Sequence, residues 1–161
     1  MIKLIDLPKD FYLEYYQQLP QIDERDVRML WHCGGYNGSQ DGLLLYQGDA
    51  HWFQIFRALS ADKMQSRENK DGSTQHDHFI RYLLIELSDQ QAAEETYWHK
   101  QFQEKVGTSP NYSQDGCRTI DAVKAKNTWP EFYKAYKTRR PRDWSNNQVI
   151  GWFEYLWVSL W

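Results

Sequence analysis

The feature that most constrains the fold of this chain is its aromatic content. The 161 residues include 8 Trp, 11 Tyr and 7 Phe, so aromatic side chains make up 16% of the sequence. Disordered chains are poor in such residues, and large rings bury much apolar surface. Mean hydropathy is low, at -0.82, because Trp and Tyr score as nearly polar on that scale. The low value therefore conceals a strong core-forming capacity, and the length predicts a single domain over residues 1–161.

The sequence carries no sign of a membrane or secretory segment. No apolar run approaches the ~18–20 residues that a membrane span needs, and MIKLIDLPKD meets an acid and a proline too early for a signal peptide. Cys33 and Cys117 are far apart and belong to no CxxC pair, which favours reduced thiols. We therefore expect a cytoplasmic protein without membrane contact.

The net charge of -3 conceals an uneven distribution. The segment Arg118–Arg142 holds eight Lys and Arg residues and two acidic residues, so it carries +6 and the remainder carries -9. Such a division is typical of a docking face for an acidic partner, but it also arises when two parts of one fold attract each other.

Capping signals and aromatic spacing predict three helices. They are expected over Leu7–Leu19, from Ser88 to about Val106, and from Thr128 to about Thr138. Ser88 and Gln91 fit a capping box, in which each side chain bonds the other residue's backbone N–H. Pro20 ends the first helix because proline disfavours helical backbone in the residue before it.

Runs of β-forming residues predict strands at 27–33, 43–47, 50–59, 78–87 and 148–161, with a short one around 118–123. The second and third of these read as a hairpin, since glycine in a short turn supplies positive φ. The polar stretch Ser60–Asp77 reads as a long loop. Together the patterns predict an α+β fold with a mainly antiparallel sheet of four to five strands and about three helices.

Two constellations raise the possibility of catalysis or metal binding. Glu95 and His99 lie four residues apart on the middle helix, so the carboxylate could orient the imidazole as a general base, or both could be structural. His76 and His78 share one side of an extended chain and could chelate a metal. A metal site needs further ligands, however, and no partner motif occurs. No cofactor is expected.

A glycine-rich turn, Gly34–Gly42, lacks the features of a phosphate loop. It could still border a ligand pocket, with Tyr36 and Asp41 as contacts. Trp52 and Trp98 are the ring contacts we assign to such a pocket, because tryptophan is favoured where one end of a side chain is apolar and the other wet.

A basic stretch follows the third helix. Cations interleaved with Tyr136 and Trp144 resemble what single-stranded nucleic acid requires, but helix ends also favour basic residues. The candidate anion-binding residues are Lys137, Arg139, Arg140 and Arg142.

The terminal strand carries rings on both of its faces. Such a strand is either central in its sheet or covered by a partner, so a homodimer is a possible arrangement.

These observations favour a small soluble binding or accessory protein that engages a protein partner or a small ligand through an aromatic-lined surface, without catalysis. One alternative is a small hydrolase-like or lyase-like enzyme that uses the Glu95 and His99 pair or a metal on His76 and His78. The other is a nucleic-acid accessory protein that uses the 134–142 patch, although the acidic net charge makes nucleic acid unlikely as a partner.

Overall fold

The computed structural model describes residues 1–8, 15–33, 41–58, 65–68, 70–72, 74–105 and 129–160. These residues form one antiparallel sheet, and two α-helices lie in the chain between its last two strands. The strands are β1 (Ile2–Lys3), β2 (Val27–Cys33), β3 (Asp41–Tyr46), β4 (Asp49–Ala58), β5 (Gln65–Glu68), β6 (Thr74–Glu86) and β7 (Gln148–Leu160). The helices are α1 (Asp89–Lys105) and α2 (Trp129–Tyr136), and 3₁₀ turns occupy Leu4–Asp6, Tyr15–Gln18 and Glu24–Asp26.

The seven strands occupy six positions across the sheet. Their order is β1-β7-β6-β4-β3-β2, and β5 pairs with β6. β4 pairs with the second part of β6, Ile80–Glu86, and β5 pairs with its first part, Thr74–Asp77. Both strands therefore lie on the same side of β6, one after the other. The predicted α+β class and antiparallel sheet are confirmed. The predicted count of four to five strands is wrong, since part of the polar stretch 60–77 pairs as β5 and the start of β6, and since β1 is too short to recognise.

The hairpin prediction is confirmed at β3 and β4. Tyr46 pairs with Asp49, which leaves Gln47 and Gly48 as a two-residue turn. Their φ angles are 53° and 94°. Positive φ at both positions is what the commonest two-residue hairpin turn requires, because its twist matches that of the strands.

The prediction of a first α-helix is wrong for the described part of 7–19. Leu7 has extended backbone, and the described part of 7–19 contains a 3₁₀ turn at Tyr15–Gln18 in place of an α-helix. The chain start is held elsewhere, since the backbone N–H groups of Leu4 and Ile5 donate to the carbonyls of Asn147 and Ser145. These bonds extend the β1–β7 pairing and draw the first residues along the sheet edge.

The second and third predicted helices form within about two residues of their expected bounds. The capping box is present, because the Ser88 backbone N–H donates to the Gln91 side chain at 2.8 Å and the Gln91 N–H donates to the Ser88 hydroxyl. The predicted short strand at 118–123 lies outside the described residues.

The two faces of the sheet bury two separate hydrophobic clusters. The outer cluster packs beneath α1, α2 and the segment 15–19, and its buried members include Tyr16, Leu19, Trp31, Leu43, Trp52, Leu83, Phe102, Phe132 and Trp152. The inner cluster lies on the opposite face and comprises Ile22, Val27, Leu44, Phe53, Ile80, Tyr82, Leu84 and Phe153. The terminal strand therefore carries buried rings on both faces, as Trp152 belongs to the outer cluster and Phe153 to the inner one.

The sheet must curl to bury the inner cluster. At the edge of β7, the Trp152 N–H donates to the Pro20 carbonyl and the Ile22 N–H donates to the Trp152 carbonyl. At the opposite edge of the sheet, Val27 belongs to β2 and pairs with β3. In a flat sheet, the segment 20–22 and β2 would lie about 24 Å apart, which is five interstrand spacings. The five residues from Ile22 to Val27 can span at most about 17 Å. The two edges therefore approach each other, and the concave face closes over the inner cluster.

Gly151 permits this close approach. A Cβ at this position would lie 2.4 Å from the Pro20 carbonyl oxygen and 3.0 Å from Ile22 Cδ1. We expect Gly151→Ala to lower the free energy of unfolding by about 1–3 kcal/mol, because the segment 20–22 must move off β7. Urea unfolding followed by circular dichroism measures the change.

Gly48→Asn separates backbone strain from a clash, since nothing lies within 4 Å of a Cβ there although φ is 94°. Its cost comes from the positive φ, which Asn tolerates better than most residues, and should be about 1 kcal/mol. Equal stability of Gly151→Ala and the wild type would contradict the close approach.

Candidate functional site

A cavity of about 300 Å³ opens where the chain start, the hairpin and the segment before β7 meet. Its lining comes from Leu4 and Ile5, from Asp41 on β3, from Trp52 and Gln54 on β4, and from residues 142–145. Asp41 and Gln54 are cross-strand partners, and the Ile5 N–H donates to the Ser145 carbonyl at 2.8 Å. Backbone pairing thus sets the positions of all three parts of the wall.

Arg142 anchors one side of the cavity through a buried ion pair. Its Nε and Nη2 each donate to a different oxygen of Glu95 at 2.7 Å, and Glu95 is only 2% exposed. Nη2 also donates to the Tyr136 hydroxyl at 2.8 Å. The guanidinium lies 4.4 Å from the centre of the Trp52 ring, within cation–π range. One side chain therefore ties α1, α2 and β4 together.

Asp41 is a partly buried carboxyl group in the wall of the cavity. Among the described residues, no side chain donates a hydrogen bond to it. Burial raises the pKa of Asp41 above its usual value, and Glu95 raises it further, while Arg142 and Arg139 act in the opposite direction. The net shift is upward because partial burial takes the charged carboxylate out of water.

Asp143, on the rim, is exposed and has the opposite character. The hydroxyl and the backbone N–H of Ser145 both donate to its Oδ1. These hydrogen bonds lower the pKa of Asp143, because they favour the ionised form. The rim therefore carries a stable negative charge at neutral pH.

The predicted ligand residues separate into three outcomes. Asp41 and Trp52 both line the cavity. Trp98 lies away from it, half-buried against the rings of Phe132 and Tyr136. Tyr36 lies outside the described residues.

Sequence reasoning did not select six of the nine lining residues, which are Leu4, Ile5, Gln54, Asp143, Trp144 and Ser145. The pattern Asp143-Trp144-Ser145 does carry a usable signal, because Asp followed two residues later by a donor typically forms a side-chain-to-backbone turn. Nothing local indicated that this turn would lie beside the hairpin.

The structure brings the candidate catalytic pair onto one helix but does not join the two side chains. Both Glu95 oxygens accept from Arg142, and no hydrogen bond links Glu95 to His99 in the part of the chain described. The His99 ring is half-buried, 6.2 Å from the Trp31 ring centre, and burial lowers the pKa of His99. A catalytic role for this pair stays a prediction to which the geometry adds no support.

The four candidate anion-binding residues are not all directed to solvent. Lys137 and Arg140 are exposed, whereas the Arg139 guanidinium lies 4.4 Å from the Tyr136 ring centre. Arg142 points inward to Glu95. An anion at this patch would therefore meet fewer available cations than the sequence suggests.

The candidate metal ligands His76 and His78 lie two residues apart on β6, so the backbone places them on the same face. Their side chains are outside the described part of the structure. Within the described ranges, no three His, Cys, Asp or Glu side chains come together as a metal site would require.

Comparison with known proteins returns no relative, since no family model, curated protein or solved structure matches the chain. No helix among the described residues is both long and apolar enough to cross a membrane. The assignment of function therefore rests on the geometry of the chain itself.

The Glu95–Arg142 pair yields a direct test of the site's framework. We expect Glu95→Ala to lower the free energy of unfolding by about 3–5 kcal/mol, because it leaves a buried guanidinium without its carboxylate. Chemical unfolding at pH 7 measures the effect.

Glu131→Ala is the matched control, since it removes an ion pair whose carboxylate is 67% exposed. It should cost at most about 1 kcal/mol. Equal costs for the two substitutions would show that Glu95 is not the anchor described above.

Proposed function

We propose that this chain is a binding protein without catalysis that holds a small molecule in the cavity beside Asp41. The observation that carries the proposal is the place of Asp41, a partly buried carboxyl group in a cavity wall with no hydrogen-bond donor among the described side chains. Its oxygens are therefore available to a molecule in the cavity. A ligand that donates a hydrogen bond to this carboxyl group would be held beside it.

The surroundings of the cavity favour recognition over reaction. Both Glu95 oxygens are engaged by Arg142, and the Ser145 hydroxyl donates to Asp143. These groups are held by hydrogen bonds in a fixed arrangement, which lowers the ordering cost of binding. The described lining contains no histidine or cysteine to serve as base or nucleophile.

The volume limits the size of the ligand. At about 30 Å³ for each water-sized group, 300 Å³ accommodates roughly ten such groups. This is the lower end of the range for small-molecule sites. A metabolite-sized compound fits the cavity, whereas a folded partner could only touch its rim. Binding of a protein partner and homodimer formation remain predictions with no structural observation in their favour.

Occlusion of the cavity tests the proposed function. Ile5 lines the cavity and is 63% exposed, so Ile5→Trp can block the opening without disturbing the core. We expect a library of compounds of up to ten non-hydrogen atoms to yield binders that perturb the Trp52 and Trp144 indole N–H signals in NMR spectra. Ile5→Trp should abolish these perturbations.

Tyr97→Trp is the control, because Tyr97 is 54% exposed and does not line the cavity. It should leave binding unchanged. Absence of any binder, or binders that are equally retained by Ile5→Trp, would contradict a ligand site here.

Asp41 should also reduce the stability of the empty protein. Because burial raises its pKa above 3.8, the folded state binds the proton more tightly than the unfolded chain. The resulting cost grows as the pH rises above 3.8 and is fully present above the folded-state pKa. Asp41→Asn should therefore raise the free energy of unfolding at pH 7, a gain that disappears towards pH 3.

Asp143→Asn is the comparison substitution, for which no gain in the free energy of unfolding is expected. Hydrogen bonds from Ser145 lower the pKa of Asp143, so its ionised form is favourable in the folded state. It should not gain stability at pH 7. A loss of stability in Asp41→Asn at pH 7, measured by urea unfolding, would contradict the assignment of Asp41 as a binding group that costs stability.

A further inference from the structure

The charges around the cavity are not balanced. The lining contains two carboxyl groups, Asp41 and Asp143, and one cation, Arg142. Arg142 is already neutralised by Glu95 at 2.7 Å. Arg139 also attracts Asp41, more weakly than Arg142 does. Counting all five groups, the site retains one net negative charge when both aspartates are ionised.

An anionic ligand would have to compete for Arg142. The guanidinium makes two hydrogen bonds to Glu95 and one to Tyr136, with one face over Trp52. Breaking such a buried pair leaves both charges without partners, at a cost of several kcal/mol. The site therefore disfavours a carboxylate or phosphate at this position.

A cation carrying N–H groups complements the two carboxyl groups of the lining. It can donate to Asp41, which has no donor among the described side chains, and it gains attraction from the stable charge on Asp143 at the rim. Trp144 is half-buried in the same wall. The face of an indole attracts a cation, so Trp144 adds to the attraction by the carboxylates.

We infer that the cavity selects a small primary ammonium ion, with Asp41 as the acceptor of its N–H groups and Asp143 as the rim charge. This inference rests on the proposed function, because it names the ligand class of the same cavity. A cation of this size and a matching alcohol differ mainly in charge, so the two can be compared directly.

Three probes of similar size test the inference: n-butylammonium, butan-1-ol and butanoate. Binding is measured at pH 7 from the Trp144 indole N–H shift in NMR titrations at low ionic strength. We expect n-butylammonium to bind about tenfold or more tightly than butan-1-ol, in keeping with hydrogen bonds to charged groups, and butanoate to be the weakest. Asp41→Asn should remove the preference for n-butylammonium.

A second experiment introduces either a negative or a positive charge at Ile5, an exposed position of the lining. Ile5→Glu should strengthen n-butylammonium binding and Ile5→Lys should weaken it, each by about threefold to fivefold, as expected for one added charge in high dielectric. Tyr97→Glu and Tyr97→Lys are matched controls outside the lining and should leave the affinity unchanged.

The outcomes separate the two proposals. Equal binding of the ammonium and the alcohol, or tighter binding of butanoate, overturns the cation preference. If other library compounds still bind in a manner that Ile5→Trp blocks, the ligand site stands without that preference. If no compound binds, both the ligand site and its specificity are contradicted.

Discussion

The buried contact between Arg142 and Glu95 is the interaction on which the rest of the site depends. Arg142 reaches α1 through Glu95, α2 through Tyr136 and the sheet through Trp52. The same contact fixes the start of the segment 142–145, which forms one wall of the cavity. It also fixes the place of the Arg142 charge, which contributes to the electrostatic environment of Asp41.

A second arginine on the same face of the sheet has nearly the same surroundings. Arg81 donates to Glu154 at 2.7 Å and to the Tyr16 hydroxyl at 2.6 Å, and it lies 5.5 Å from the centre of the Trp152 ring. Each arginine therefore has a glutamate, a tyrosine and a tryptophan as partners. The large aromatic content serves these buried charges as well as the apolar core, because rings with a polar tip can pack and hydrogen-bond at once.

The two arginine sites differ in the residues that pack beside them. Tyr16 and Leu19 pack over the sheet beside Arg81 and are buried. Beside Arg142, the described part of the chain start contributes Leu4 and Ile5, which line the cavity. The hydrogen bonds that hold the first residues to Ser145 and Asn147 keep them at the rim. Among the described residues, the same set of partners thus surrounds a closed site at Arg81 and an open one at Arg142.

Local patterns were sufficient to predict much of the sheet and two of the helices. The Gln47–Gly48 turn, the Ser88 capping box and the alternation of β2 act within a few residues, so the sequence displays them directly. The extension of the sheet at β1 and β5, two and four residues long, depends on backbone pairing with other strands. Short or polar strands of this kind lack the hydrophobic period by which a strand is recognised.

The candidate site was only partly predictable for the same reason. Asp41 and Trp52 stand on neighbouring strands of one hairpin, so a sequence pattern could bring them together. Arg142 is 47 residues from Glu95, and no local signal indicates that these two residues meet. Its place in a basic stretch suggested an outward-facing cation, whereas burial beside a carboxylate turns it inward.

The role of Asp41 can be measured from the pKa of its carboxyl group, followed by carbon-13 NMR with and without n-butylammonium. We expect a pKa above 3.8 in the free protein, because burial disfavours the charge. We also expect the pKa to fall when the ammonium binds, because a bound cation favours the ionised form. A free-protein pKa at or below 3.8 that does not change with the ammonium would contradict the assignment of Asp41 as the ligand-binding group.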